Sequence, residues 1–210
     1  MKFKKVLALA LSAMMAMSVL AGCGGGGGGV RGTLSTTKVE SELRDVESNI
    51  ELTHNSKLNM AVRDAASELA ESGSLNAARS TINNAMGWGA VNAIKNAVDR
   101  FLSGLGLIGG SVSYGTIAIV EEDELEANVG SGGWAALIGA NRTMVSKLAP
   151  INTPEKFGAA LVLALDGTVG QVSEVTNNIV GVEYSISGAK ATTPDGVSYW
   201  VFATQIRMGA

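Results

Sequence analysis

The spacing of apolar residues separates a helical first half of the chain from a strand-rich second half. Val39, Leu43, Val46 and Ile50 follow one another at four, three and four residues, which places them on one face of a helix that begins near Thr37. The intervening positions are mostly polar or charged. This pattern predicts an amphipathic first helix whose apolar face is buried.

Three further helices are predicted in the first half. The second is capped by Asn55 or Ser56 and stops at Gly73, because short polar residues favour helix starts and glycine favours helix ends. The third and fourth cover Leu75 to about Met86 and Ala90 to Leu102. We expect these helices to pack through alanine, leucine and valine side chains.

The second half carries the β-rich segments. Ser111–Val120 is predicted to be a strand covered on both faces, and the continuous apolar run Phe157–Leu165 a buried strand. Two later strands are expected at Ile179–Ser187 and Val197–Ile206, joined by a loop that contains Pro194 and Gly196. The predicted fold class is therefore α+β, with helices first and then a mainly antiparallel sheet.

Two segments between these strands are predicted to be helical. The acidic run Glu121–Glu124 ends the first strand and opens a helix, because carboxylates suit the positive end of a helix dipole. A longer helix is expected from about Gly133 to Leu148, closed by Pro150. Calcium binding by the acidic run is the weaker reading, since the ligand spacing of an EF-hand is absent.

The first residues have the pattern of a secretory leader. Three lysines precede an uncharged apolar run, Val6–Leu20, that is too short to span a bilayer and ends at small residues. The block Leu20-Ala21-Gly22-Cys23 resembles the lipobox of bacterial lipoproteins, which implies acylation of Cys23 and cleavage before it. The predicted organisation is a signal peptide over 1–22, an acylated, glycine-rich tether over 23–36 and one domain over 37–210.

The net charge limits the kinds of partner that we expect for this protein. Removal of the leader takes three of the 16 basic residues and leaves 13 basic against 19 acidic, a net charge of −6. This balance gives no basic face for nucleic acid and no polybasic attraction to a membrane. We expect the protein to contact the membrane through the lipid on Cys23. The expected location is extracytoplasmic, on the cell surface or the periplasmic side.

Catalytic motifs are missing from the sequence. His54 is the only histidine, and neither a nucleophile motif nor an oriented partner accompanies it. With Cys23 acylated, no thiol is available as a nucleophile or a metal ligand. The sequence therefore predicts no cofactor, no metal site and no identifiable catalytic residue.

Three segments resemble the CAP or SCP-like domain, an α-β-α sandwich found in secreted and envelope proteins. They are the alanine-rich helix from Leu58 to Ala70, Trp134 followed by Asn141-Arg142, and the pair Ile179–Tyr184 and Gly196–Phe202. In the family, a His-Arg pair follows the tryptophan. Because Asn141 stands where the first histidine would be, the resemblance implies a cleft without its metal ligands.

The resemblance and the late aromatic residues together define the candidate ligand-binding residues, Trp134, Asn141, Arg142, Tyr199 and Trp200. By strand alternation, Tyr199 and Trp200 face opposite sides of the sheet. The favoured function is a lipid-anchored envelope binding or interaction protein with an unknown ligand. Two alternatives stay open: an envelope hydrolase that uses carboxylates, and a structural subunit that assembles through a sheet edge.

Overall fold

The computed structural model of the chain describes residues 30–88, 111–125, 141–176 and 181–209. Several predicted features lie outside these residues: the signal peptide, Cys23, the glycine run, the helix over Ala90–Leu102 and Trp134. The same is true of the first part of the helix predicted from Gly133. These features stay predictions.

Helices lead the described chain and an antiparallel sheet follows, as predicted for an α+β fold. The helices are α1 (Thr36–Asp45), α2 (Ser56–Ser72), α3 (Leu75–Met86), α4 (Arg142–Lys147) and α5 (Pro154–Thr176), and a 3₁₀ helix covers Glu122–Glu124. The strands are β1 (Ser111–Glu121), β2 (Gly181–Thr192) and β3 (Ser198–Gly209). They form one sheet in the order β1-β3-β2, with both pairings antiparallel.

Local signals set the boundaries of α2. The side chain of Asn55 accepts a hydrogen bond from the Leu58 amide, and Gly73 ends the helix in the left-handed conformation at φ 65°. Glycine adopts this conformation without the steric penalty that a β-carbon brings. The predicted cap and stop of this helix are confirmed.

The first helix is shorter than predicted. It ends at Asp45 with Val46 as its cap, so Ile50 lies in the loop that follows instead of on the helix. Glu47 adopts a positive φ of 64°, which turns the chain out of the helix. Val39 and Leu43 keep the predicted buried positions.

The prediction of a strand at Phe157–Leu165 is wrong, because these residues lie within the 23-residue helix α5. Every non-glycine residue from Phe157 to Leu165 is buried, at 3% exposure or less. A helix packed on all sides has no polar face, so its sequence does not show the helical period. The helix begins where Thr153 Oγ1 accepts a hydrogen bond from the Lys156 amide at 3.2 Å, directly before Pro154.

Helices cover both faces of the sheet, so the core has two parts. On one face, α2 and α3 pack against small strand residues, Ala189, Ala191, Val201 and Ala203. On the other face, α1 and α5 pack against Tyr184, Ile186, Phe202 and Ile206. We refer to these as the α2 face and the α5 face. Alternation along each strand supplies both sets, because successive side chains point to opposite faces.

The outer edge of β2 is partly covered by other segments of the chain. Arg31 N donates to Lys190 O at 2.8 Å, Lys190 N donates to Gly32 O at 3.1 Å and Leu34 N donates to Gly188 O at 2.8 Å. Farther along, Thr53 N donates to Tyr184 O at 2.6 Å. The folded part of the chain therefore includes residues 31–34.

Candidate functional site

The structure does not bring the predicted ligand-binding residues together. Asn141 is half-buried at the start of α4, whereas the side chain of Arg142 beside it is exposed. Trp200 packs in the core of the α5 face, and Tyr199 packs against the core of the α2 face. The predicted opposite orientation of these two aromatic residues is confirmed. Trp134 lies outside the described residues.

Trp200 is a core residue. It is 7% exposed, and its ring stacks on Phe202 with the centroids 5.7 Å apart and an angle of 21° between the planes. Its Nε1 atom has no hydrogen-bond partner among the described residues. Tyr184 pairs with Ile206 on β3, six residues beyond Trp200. Trp200 therefore lies roughly 20 Å along the strands from Tyr184.

Tyr199 is half-buried and takes part in a contact between strands. Its hydroxyl donates a hydrogen bond to Glu121 Oε1 at 3.1 Å. Partial burial, together with the Glu121 carboxylate, raises the pKa of the phenol. This contact ties β3 to the end of β1 and does not involve Asn141.

Asn141 belongs to an open groove with a volume of about 640 Å³. The groove lies where the loop between α1 and α2 meets α4, α5 and β2, and we call it the Tyr184 groove. Its lining consists of residues 48–51, Thr53, Asn141, Met144, Leu163, Asp166, Val182 and Tyr184. Of the candidate residues predicted from the sequence, Asn141 is the one that lines it.

A hydrogen bond between side chains in the groove joins Tyr184 to Asp166. The Tyr184 hydroxyl donates to Asp166 Oδ1 at 2.6 Å, and Tyr184 is 7% exposed. Burial raises the pKa of the Tyr184 phenol well above its usual range, and the Asp166 carboxylate adds to the shift. The phenol is therefore a hydrogen-bond donor at physiological pH and not a base.

Asn141 is held in place by α5. Its Nδ2 donates a hydrogen bond to Leu163 O at 3.2 Å. An asparagine amide also carries an acceptor oxygen, and Asn141 Oδ1 receives no hydrogen bond from the described residues. Leu163 and Asp166 are three residues apart on α5, the spacing that places two side chains on one helix face.

The loop between α1 and α2 lines one side of the groove and contacts other elements near both of its ends. At its start, Glu47 pairs with Lys147 of α4, with Oε2 and Nζ 3.0 Å apart. At its end, Leu52 forms a parallel bridge with Tyr184 and donates its amide to Glu40 Oε1 at 3.2 Å. A second cavity of about 400 Å³ shares residues 48–51 and adds Glu40, Arg44 and Leu52.

The groove has an acidic and hydroxyl-rich lining. Among the described residues that line it, Glu51 and Asp166 are charged, and none is a lysine, arginine or histidine. His54 is exposed and lies outside the groove. Among the described residues, no group of three or more histidine, cysteine, aspartate or glutamate side chains is arranged to hold a metal ion.

None of the helices within the described ranges combines the length and the apolar character needed to cross a bilayer.

Comparisons of the chain with models of protein families, with curated proteins and with solved structures give no match.

Sequence reasoning missed Asp166 and the loop residues as parts of a site. Asp166 follows the apolar run that the sequence predicts to be a strand, and in a strand Leu163 and Asp166 would face opposite sides. The signal available was the start of α5, where Thr153 and Pro154 have the order typical of a helix cap and first residue. A helix from Pro154 places Leu163 and Asp166 on one face.

Proposed function

We propose that this protein is a lipid-anchored binding module of the cell envelope and that the Tyr184 groove is its ligand site. The lipobox-like block at Cys23 supports the anchor, and the groove supports the binding role. One observation carries the second part. Tyr184, Asp166 and Asn141 come from a strand and two helices, and hydrogen bonds hold them around one open groove of about 640 Å³. Polar groups fixed on rigid elements are suited to ligand recognition.

The proposal includes the resemblance to CAP or SCP-like domains. An antiparallel sheet with helices on both faces is compatible with the sandwich that this resemblance implies. In that reading, the groove around Asn141 is a cleft that works through contact and not through metal chemistry.

The anchor is tested by mass spectrometry of the protein purified from the envelope. The expected result is an amino terminus at Cys23 with the mass of attached acyl chains, and a Cys23→Ser variant that is not acylated. An intact, unmodified leader would overturn this part of the proposal.

The groove is tested by sedimentation of the full chain, kept soluble in detergent, with insoluble polymer isolated from the envelope. We expect the wild-type protein to sediment with the polymer and Asp166→Asn to stay largely in the supernatant. The matched control is Asp64→Asn, which removes the same charge from an exposed position on α2, the helix on the opposite face of the sheet. Equal sedimentation of both variants would contradict a role for the groove.

A second candidate function is hydrolysis of an envelope polymer. The observation in its favour is that Glu51 and Asp166 line the same groove, since glycoside hydrolysis requires a pair of carboxyl groups across the scissile bond. It predicts that purified protein releases new reducing ends from envelope polymer and that Glu51→Gln and Asp166→Asn each abolish the release.

Assembly through a sheet edge has less support at β2, because residues 31–34 and Thr53 already hydrogen-bond to parts of its outer edge. Sedimentation velocity over a range of protein concentrations tests this alternative. A sedimentation coefficient that rises with concentration would favour it over the binding module.

A further inference from the structure

We propose that the Tyr184 groove selects ligands that carry a primary alkylammonium group, such as the side chain of a lysine or another diamino acid. This inference rests on the proposed function and adds the chemical class of the ligand to it. Three features of the groove lead to it: an excess of acceptors, the sign of the charge, and an apolar wall beside the acceptors.

The acceptors come first. Tyr184 occupies one oxygen of Asp166, Oδ1, and so fixes the orientation of the carboxylate. The other oxygen, Oδ2, receives no hydrogen bond from the described residues. Asn141 uses its amide nitrogen on Leu163 O, which leaves its own oxygen as an acceptor. A ligand that fits these groups must bring donors, and an ammonium group brings three and no acceptor.

The charge acts in the same direction. Glu51 and Asp166 give the groove two carboxylates, and none of its described lining residues is basic. An anionic ligand would meet repulsion here, whereas a cation gains a charge-assisted hydrogen bond. Three basic residues around the groove are not among its described lining residues. Arg44 lines the second cavity, Lys147 is paired with Glu47, and Arg142 follows Asn141 with its side chain exposed.

The apolar part of the lining indicates that the ligand carries a hydrocarbon stem. Ile50, Met144 and Val182 are half-buried and line the same groove as the two carboxylates. A methylene chain that ends in an ammonium group can cover such a wall while its charged end reaches the acceptors. A polyhydroxyl ligand would use the acceptors but would leave this wall in contact with water.

The first test uses small probes and the full chain in detergent. We expect Nα-acetyl-lysine amide to bind about tenfold more tightly than the same compound acetylated on Nε, as measured by calorimetry. Pentane-1,5-diamine tests an amine on a hydrocarbon stem without a peptide part. Comparable affinity for it means that the amine and its stem suffice, and weaker affinity means that the peptide part adds contacts. Equal affinity for the acetylated and unacetylated lysine probes would overturn the proposal.

Variants connect the selectivity to the groove. Asp166→Asn is expected to lower the affinity for the lysine probe about tenfold, because a charge-assisted bond is replaced by a neutral one. Glu51→Gln, in the exposed loop, is expected to lower it several-fold and provides a second variant if Asp166→Asn does not fold. The control Asp64→Asn should bind as the wild type does. Unchanged affinity in both groove variants would overturn the proposal.

A second experiment separates this inference from the proposed function. Envelope polymer is treated with acetic anhydride, which acetylates its amines, and the sedimentation assay is repeated. Loss of wild-type binding supports the alkylammonium ligand. If wild-type binding persists after acetylation but Asp166→Asn still fails to sediment, the groove is the binding site and the inferred ligand class is wrong. If Asp166→Asn sediments as the wild type does on untreated polymer, the proposed function itself fails.

Discussion

The indole ring of Trp88 lies directly against the backbone of Gly115. A β-carbon built on Gly115 would overlap ring atoms Cζ2, Cη2 and Cε2 of Trp88. Trp88 follows α3 and belongs to the core of the α2 face, and Gly115 lies on the edge strand β1. Glycine at this strand position therefore lets the ring cover the sheet.

Gly115→Ala should destabilise the fold, because the added methyl group and the buried ring cannot both occupy this space. We expect the free energy of unfolding to fall by about 3 kcal/mol, at the upper end of the cost of overpacking. Urea denaturation measures the change. The control is Gly181→Ala on β2, where a β-carbon meets no atom within 4 Å. An equal, small effect of the two variants would contradict the packing of Trp88.

Asn55 uses one amide for two purposes. Its oxygen accepts from the Leu58 amide at 3.0 Å, which caps α2, and its nitrogen donates to Gln205 Oε1 on β3. Asn55→Ala should lower the free energy of unfolding by about 2 kcal/mol, because both contacts are lost. Asn55→Ser keeps a capping oxygen and should cost less than half as much. A double-mutant cycle with Gln205→Ala measures the contact to the sheet, and a coupling energy of zero would show that this contact contributes nothing.

Glu47 occupies a backbone conformation that suits glycine better. Its φ is 64°, and its amide donates to Arg44 O at 2.9 Å as α1 ends. Glu47→Gly should raise the free energy of unfolding by about 1 kcal/mol, since the left-handed conformation costs a residue with a β-carbon roughly that amount. The lost ion pair with Lys147 offsets little of this, because the Glu47 side chain is 85% exposed.

Glu47→Ala is the control for this prediction. Alanine keeps the unfavourable φ and loses the ion pair, so the thermal midpoint of this variant should lie at or slightly below that of the wild type. A midpoint of Glu47→Gly below that of Glu47→Ala would show that the backbone conformation is not the source of the strain.

Stability should decrease at high pH because of Tyr184. Burial and Asp166 raise the pKa of its phenol in the folded state above the usual value, which is about 10 in an unfolded chain. Below about pH 10 both states hold the proton, and this group leaves stability unchanged. Above that pH the unfolded state loses its proton first, so stability falls by up to about 1.4 kcal/mol per pH unit.

Tyr184→Phe removes the titrating group. Urea denaturation from pH 9 to 11.5 should give a smaller loss of stability for this variant than for the wild type. Parallel curves for the two proteins would show that the phenol ionises as easily in the folded state as in the unfolded chain. The comparison isolates Tyr184 because the lysines and the other tyrosines are the same in both proteins.

Local chemistry accounts for the elements that the sequence predicted well. Asn55 and Gly73 bound α2 because a capping side chain and a left-handed glycine act on their nearest neighbours. The strands predicted at Ile179–Ser187 and Val197–Ile206 overlap β2 and β3 within the described residues, because β-rich runs bounded by turn residues favour strands. None of these signals depends on contacts between distant residues.

The candidate site was less predictable, because distant segments form it. Asp166 becomes a groove residue when the run from Phe157 to Leu165 is a helix, and a run that is buried on all sides has no period to reveal this. Ile50 lies in a loop because the first helix ends at Asp45 and the chain turns at Glu47, a non-glycine residue with a positive φ. Sequence patterns favour glycine or asparagine at such a position, so Glu47 gave no stop signal.

The pairing of residues 31–34 with β2 determines how a pulling force on the preceding chain is transmitted to the domain. A pull on the chain before Val30, directed along the strand, reaches the sheet through the three hydrogen bonds between Arg31–Leu34 and Gly188–Lys190. Such a load shears these bonds together instead of opening them one after another. A domain held to a surface in this way resists traction at its first residues, and Leu34, buried at 8% exposure, is the side chain that must leave the core before the chain can detach.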